Sequence, residues 1–359
     1  MIINFVGDIA LFNIDHNKFE ISSEIISVLE KADLNIGNFE TPITESENKL
    51  EVHPVHLKCS EDSLKIVKNF HAFSLANNHI MDYNEEGLTD TLKALEKNGF
   101  GYFGAGINQE DAFKPFLYNK NGYRIAILGA TRFANAKKNK PGTAKDSMRL
   151  LKTKIKELKK DNYFVIIFFH WGYEYVPYPS PRERKIAHKC IDYGADLIIG
   201  SHPHIIQGCE KYKNKYIFYS LGNFVFDRSI FEGLSYYEND KRIFESFILN
   251  LNINKNYQVN YKIIPFYFNN DKIELYDESN LNIMINEFNN ISEIFNAKYI
   301  EYLKVFSKFS KEISEQNIKV RKNYTFQKNK KTFIFILKAF SDANLQDLSN
   351  RIIGLLLRK

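Results

Sequence analysis

The chain has 359 residues, 44% of them apolar, 14% aromatic and 26% charged, which allows one large domain with an appended part, or two modest ones, and excludes a disordered chain. Its net charge of +6 is carried by interspersed Lys/Arg and Asp/Glu without a long basic stripe, so nucleic acid is not an expected partner. Three cysteines, Cys59, Cys190 and Cys209, an odd number without CxxC spacing, argue against a disulfide framework or a thiolate zinc site and for a reducing compartment.

The opening residues MIINFVGD enter an apolar strand pattern directly, with no basic n-region, long apolar h-region or small-residue cleavage site, so a signal peptide is not expected. The most apolar runs, YFVIIFF and TFIFIL, fall short of the roughly 18 residues a bilayer crossing needs, and a cytoplasmic protein is expected. Up to about residue 225 short apolar runs alternate with longer amphipathic stretches, the pattern of an α/β fold. INFVGD, ADLNIGNFE, FSLANNH, YRIAILGA, YFVIIFFHWG, ADLIIGSHPH and YIFYSLGNF read as strands. Helices are predicted over 88–98, 145–160 and 184–193, the first and last stopping at Gly99 and Gly194. Glu245–Phe268 alternates apolar and polar residues around Asn254-Lys255-Asn256 and predicts a hairpin. After about residue 275 the spacing turns helical, dividing the chain into a main domain over 1–270 and a mainly helical C-terminal module over 271–359. Within the module, Ile318–Lys331 holds six Lys/Arg and no acid ahead of TFIFILKAF. A solvated linker before a packed helix is expected there, with contact of 318–359 to an anionic membrane surface as the alternative.

Nearly every strand ends in a polar cluster: Gly7-Asp8, Asn38 and Glu40, Asn77-Asn78-His79, His170-Trp171-Gly172, His202 and His204, and Asn223. Each alone reads as a turn. Together they point to one site beyond the carboxyl ends of the strands, where an α/β sheet gathers its ligands. His202 and His204 flank Pro203 just past an apolar strand, and such an HxH pair can turn both imidazoles to one metal. His170 closes the most apolar strand, where burial without a partner would cost about 1–3 kcal/mol. Asp8 and Glu40 add the anionic oxygens that neutral histidines lack, and Glu40 can bridge two metals. Asn78 offers an amide oxygen; His79 can donate a proton, with Asp82 orienting it. The same NNHIMDY run also reads as a helix cap. Glu174 is read as a contact near the site or a surface carboxylate, Asn223 as a turn behind the site, and Trp171 as pocket wall or core. His16, His53, His56, His71 and His188 lie outside the motifs and receive no role.

These residues resemble the poly-gamma-glutamate capsule synthesis (CapA-like) group of the calcineurin-like metallophosphoesterase superfamily. The resemblance runs from residue 3 to about 228 through GDIALF at 7–12, GNFETPIT at 37–44, LANNHIMDY at 75–83, GAG at 104–106, HWGYEY at 170–175, GADLIIGSHPHIIQGCE at 194–210 and YSLGNFVFD at 219–227. It implies a two-sheet sandwich flanked by helices, with one or two divalent metal ions (Mn, Fe or Zn) at the strand ends. Asp8 and His204 would bind the first metal, Glu40 would bridge, and Asn78, His170 and His202 would complete the second. His79 would protonate the leaving group. The superfamily opens with Asp-x-His, whereas Ala10 stands at that position here, and Glu40 replaces its bridging aspartate. The first metal is thus short of a ligand.

The expected function is a metal-dependent hydrolase of the phosphoesterase type in capsule or exopolymer biosynthesis, acting on a phosphoester or a polymer-related substrate. One alternative is an accessory protein, weakly catalytic or non-catalytic, partnered with membrane-bound polymer-assembly proteins at the inner face of the membrane. Another is a metal-dependent amide or peptide-bond hydrolase or transferase.

Overall fold

In the computed structural model, which describes residues 1–51, 55–227, 240–269 and 271–325, the strands in chain order are β1 (Ile2–Ala10), β2 (Glu20–Ile21), β3 (Leu34–Phe39), β4 (Ala72–Ser74), β5 (Gly101–Phe103), β6 (Ala105–Gly106), β7 (Phe116–Lys120), β8 (Tyr123–Thr131), β9 (Gly142–Thr143), β10 (Phe164–His170), β11 (Leu197–Ser201), β12 (Ile206–Tyr212), β13 (Lys215–Leu221), β14 (Asn223–Phe226), β15 (Glu245–Ile253), β16 (Val259–Asn269) and β17 (Lys272–Leu275). One sheet runs β2-β17-β16-β15-β1-β3-β4-β5, with β14 also paired to β1. A second runs β12-β13-β11-β10-β8-β7, and β6 with β9 makes a small ribbon. The strands that carry the polar clusters are parallel: β1, β3, β4 and β14 in the first sheet, β10 and β11 in the second. Within each sheet their carboxyl ends therefore face one edge, and the bond from the His202 N–H to Asp8 brings the two edges together.

Period-two burial explains why two sheets stack. Along β10, Phe164, Ile166 and Phe168 enter a core shared with Ile3, Phe5, Ile36, Leu249 and Leu251 of the first sheet. The intervening Val165, Ile167 and Phe169 face the other way, into a core with Leu151, Ile155, Ile186 and Ala187. Those last four belong to helices α4 (Met148–Lys160) and α5 (Pro181–Tyr193). On the far side of the first sheet, α1 (Ser23–Glu30) and α2 (Asn84–Lys97) press Ile25, Leu29, Leu88 and Leu95 against Val6, Ile9 and Phe39. A single-turn α3 (Gln109–Ala112) buries Ala112 in the same core as α4 and α5. The result is a two-sheet α/β sandwich with helices on both outer faces, α/β as the strand pattern implied and two-sheeted as the family resemblance implied.

Helix α5 starts earlier than predicted because Ser180 and Glu183 form a reciprocal capping box around Pro181, which satisfies the first turn's N–H groups before the apolar periodicity begins. The hairpin at 254–256 forms between β15 and β16. Beyond residue 270, β17 pairs with β16. Helix α6 (Glu278–Glu293) then lays Phe288 against Phe247 at a ring distance of 5.2 Å and Ser292 against β12, where its hydroxyl accepts the Cys209 N–H at 2.9 Å. Helix α7 (Tyr299–Thr325) buries Tyr302 and Leu303 on the second sheet's helical side. Within the predicted basic and aromatic segment, 326–359 lies outside the described residues, so the membrane-contact alternative does too. No described helix is long and apolar enough to cross a membrane.

A buried ionic cluster fastens these C-terminal helices. Arg184 on α5 pairs with Glu210 on β12 at 2.8 Å and donates to the Phe295 carbonyl at 3.3 Å, while its guanidinium lies 4.6 Å from the Tyr302 ring centre. Glu210 also accepts from the Tyr219 hydroxyl at 2.6 Å and sits 3.0 Å from His188, so His188, without a role in the sequence, belongs to this anchor. Burial alone would raise the Glu210 pKa, but the bonds from His188, Arg184 and Tyr219 hold it down to about 2 from an ordinary 4.5. A folded pKa below the unfolded one stabilises the protein above the unfolded pKa, and that contribution fades as pH falls towards the folded value. Glu210→Gln is accordingly expected to cost about 3 kcal/mol at neutral pH. In denaturant titrations the gap to wild type should narrow progressively below the ordinary glutamate pKa of 4.5; a gap of constant size across that range would contradict the assignment.

Candidate metal centre

Strand register brings the polar ends together. Asp8 on β1 is paired with Asn38 on β3 and Asn223 on β14, and His170 on β10 with Ser201 on β11 and Thr131 on β8. Glu40 follows β3 by one residue, and Asn77-Asn78-His79 form the turn after β4. The close fit of β1 on the turn before β14 needs Gly7, since a Cβ there would lie 1.8 Å from the Gly222 carbonyl oxygen. His202 and His204 follow β11 with left-handed backbone, at φ of 95° and 58°. That conformation costs a residue with a side chain about 1–3 kcal/mol. Two bonds hold it: the His202 N–H donates to Asp8 Oδ2 at 3.0 Å, and His204 Nδ1 lies 2.9 Å from Asn223 Oδ1.

Six side chains converge on one buried point. Asp8, Glu40 and His170 offer ligand atoms all within 4.8 Å of one another, and so do Glu40, His202 and His204. Glu40 belongs to both sets. His204 Nδ1 also lies 3.4 Å from Asp8 Oδ2, and Asn78 Oδ1 is 2.6 Å from His170 Nε2. His79 stands at the rim with Nδ1 2.8 Å from Asp82 Oδ2; Asp82 is fully buried and also accepts the Leu57 N–H at 2.8 Å. Phe133 lies 5.2 Å from the His202 ring and Phe226 4.6 Å from that of His204, so apolar walls shield the imidazoles from water.

The charge balance of this point is unusual. Both Glu40 oxygens and His202 Nδ1 are buried without a hydrogen-bond partner, and a desolvated polar group left unpaired costs about 1–3 kcal/mol, more if charged. Burial, and then the charges of Asp8, Glu174 and Asp82, push the Glu40 pKa well up. Burial, with His170 and His204, pushes that of His202 well down. Burial opposes ionisation of Asp8 too, yet bonds and charge from His170, with His204 and the His202 N–H, hold its pKa below the ordinary value. A carboxylate without a counter-charge beside a neutral imidazole without a donor is the donor set a divalent cation requires. The residues present fit one.

All eight residues singled out from the sequence thus lie at this edge, Asp8, Glu40, Asn78, His170, His202 and His204 at the buried point and His79 with Asp82 beside it. Ala10 is fully buried and paired with Phe226 along the strand, so position 10 offers no ligand atom. Trp171 is core, stacked on Phe169 with ring centres 4.2 Å apart, and Glu174 is exposed. The sequence reading gave no role to Asn38, which donates to Asp8 Oδ1 at 2.8 Å and lies 3.2 Å from His170 Nδ1, or to Ser201, 3.2 Å from the same nitrogen. Asn223 stands behind the site as expected, against His204. The available signal was the position of Asn38 within GNFE at a strand end.

Residues 2–228 match the family described as bacterial capsule synthesis protein PGA_cap. The chain belongs to this family. Similar proteins include the PGA biosynthesis protein CapA of Bacillus subtilis, 38% identical over 63% of this chain and 63% of that one, and the capsule biosynthesis protein CapA of Bacillus anthracis, 42% identical over 56% and 52%. A Mycobacterium tuberculosis protein named "Probable polyglutamine synthesis accessory protein" is 28% identical over 60% and 61%. The matches thus span less than two thirds of these relatives' lengths. Among solved structures, a phosphatase of Mycoplasma pneumoniae superposes with a TM-score of 0.47 at 14% identity, covering 75% of this chain and 94% of that one.

In this capsule-synthesis fold the buried Glu40 has a measurable signature. A carboxyl whose folded pKa is raised above its unfolded value destabilises the protein as pH rises past the unfolded value. In chelator-treated protein at mildly alkaline pH, Glu40→Gln is expected to be more stable than wild type by about 1–3 kcal/mol, the difference shrinking on acidification. Adding Mn²⁺ or Zn²⁺ should raise the melting temperature of wild type but not of the variant. A variant less stable than wild type in chelator would show that Glu40 has a partner.

Proposed function

We propose that the protein is a metal-dependent hydrolase of the phosphoesterase type, acting in the biosynthesis of a capsule or exopolymer of the poly-gamma-glutamate kind. The desolvated Glu40 carboxyl, which accepts no hydrogen bond and lies among Asp8 and three imidazoles, carries this reading. Its process rests on the family and on the names of the two Bacillus relatives. Asp8, Glu40, Asn78, His170, His202 and His204 would hold one or two divalent ions, Mn, Fe or Zn, with Glu40 shared. Such a cation, when bound, supplies Lewis acidity and lowers the pKa of a water at the site.

The chain's own groups do the rest. Asp8 and Glu40 balance the cationic charge, and Asn38, Ser201 and Asn223 fix the orientation of His170 and His204, since outer partners decide which nitrogen of an imidazole ligates. With Nδ1 of His79 directed at Asp82, a proton passing to a leaving group would move through Nε2, and Asp82 would steady the charge that the ring carries beforehand. Phe133 and Phe226 keep the imidazoles dry, which strengthens each electrostatic contact.

A second reading, an accessory protein of a membrane-associated polymer-assembly complex, draws support from the buried Ala10, which leaves position 10 without a ligand, and from the name of the mycobacterial relative. Metal counting on purified protein, combined with assays of p-nitrophenyl phosphate, bis(p-nitrophenyl) phosphate and a gamma-glutamyl peptide, separates the readings. Bound metal with phosphoester turnover is expected, reduced about 100-fold or more by Glu40→Ala or His170→Ala. His79→Ala should lower kcat by about 10²–10⁴ at unchanged metal content. Metal-free protein would sink the hydrolase reading; metal without turnover would favour the accessory one, and cleavage of the peptide alone an amide hydrolase.

A further inference from the structure

We propose that Arg132, with the Tyr173 hydroxyl, forms an oxyanion-binding subsite at the rim of the metal centre that takes a phosphate or carboxylate group of the substrate; this deepens the hydrolase reading and rests on it. Arg132 follows directly on β8, whose last residue, Thr131, is paired in register with His170 and donates its hydroxyl to the His170 carbonyl at 2.8 Å. The backbone before Arg132 is thus tied to the centre. The guanidinium lies over the Phe133 ring at 5.0 Å and 5.8 Å from the ring centre of Tyr173. Phe133 in turn stands 5.2 Å from the His202 ring and 6.2 Å from that of His170. A fixed positive charge therefore sits one aromatic ring away from the imidazoles.

Its electrostatic setting calls for an anion. Arg182, Arg184 and Arg242 each hold a carboxylate, at 2.5, 2.8 and 2.5 Å, whereas Arg124 and Arg149, which form no ion pair among the described residues, are exposed to water. Arg132, only partly buried, lies close enough to Tyr173 to oppose the rise that burial imposes on the pKa of its hydroxyl, and it forms no ion pair with a carboxylate among the described residues. A guanidinium next to a cation-binding centre is repelled by whatever cation enters. A substrate oxyanion spanning the two removes that repulsion and gains from both. The guanidinium beside Phe133 offers a planar N–H fork that can make paired bonds to such a group, which an ammonium cannot do. Tyr173, half-buried beside it, adds a hydroxyl at the same rim.

Calorimetric titration of full-length, metal-loaded protein with orthophosphate, and separately with N-acetylglutamate, tests this. Arg132→Met is expected to weaken at least one of the two about tenfold or more, and Tyr173→Phe about threefold, at unchanged metal content and melting temperature. Loss for orthophosphate assigns a phosphoester group to the subsite; loss for N-acetylglutamate assigns a carboxylate. If Arg132→Met melts early or loses metal, Arg132→Lys carries the test, because it keeps charge and bulk without the fork; a loss of about threefold or more is expected. Affinities equal to wild type for both anions, or no binding of either by metal-loaded wild type, overturn the subsite while leaving the metal centre standing. Wild-type protein that takes up no metal overturns both.

Discussion

A carboxylate taken out of water without a hydrogen-bond donor is among the costliest arrangements a fold can hold, and neither oxygen of Glu40 accepts a hydrogen bond, with His170 Nε2 3.6 Å from one of them. The surrounding architecture serves to keep it there. Two parallel strand sets, one from each sheet, end at the same edge, so residues from β1, β3, β10 and β11 meet around Glu40 although the chain separates them by up to about two hundred positions. Amides of Asn38 and Asn223 and the hydroxyl of Ser201 then bond to Asp8, His170 and His204, while both Glu40 oxygens and one nitrogen of His202 are left without a hydrogen bond. The unsatisfied valence is local, and a divalent cation fits its sign.

Much of this was legible in the sequence for a physical reason. Ligand-type residues in an α/β fold must leave the sheet where strands stop, so a polar cluster after an apolar run marks a position in space as well as in sequence; Asp8, Glu40, Asn78, His170 and the His202–His204 pair were all found so. The supports were not. Asn38 points back across to β1 and β10, and only the register of three strands reveals that one amide serves both Asp8 and His170. The division of strands between sheets is equally invisible to periodicity, because β1 and β10 are each buried on both faces.

The same distinction holds away from the site. The capping box at Ser180 and Glu183 sets the start of α5 through side-chain bonds to backbone, ahead of the apolar spacing from which a helix is usually read. His188 and Glu210 look like ordinary surface residues in sequence, yet together with Arg184 they make the ionic floor on which Phe295 and Tyr302 rest. The C-terminal helices are therefore joined to the second sheet by a charged cluster as well as by apolar contact, and a charged cluster is directional where apolar contact is not.

The left-handed backbone at His202 and His204 bears on how this centre can be dissected. Alanine at either position keeps a Cβ where the chain disfavours one and so removes the imidazole while retaining the conformational penalty. Glycine adopts the same backbone readily and removes both. Comparing the two truncations at one residue separates what the ring contributes from what the bend costs, a separation that Asp8, Glu40 and His170, whose φ is not positive, do not offer. The two histidines thus provide an internal calibration of how much conformational free energy this fold spends on posing its ligands.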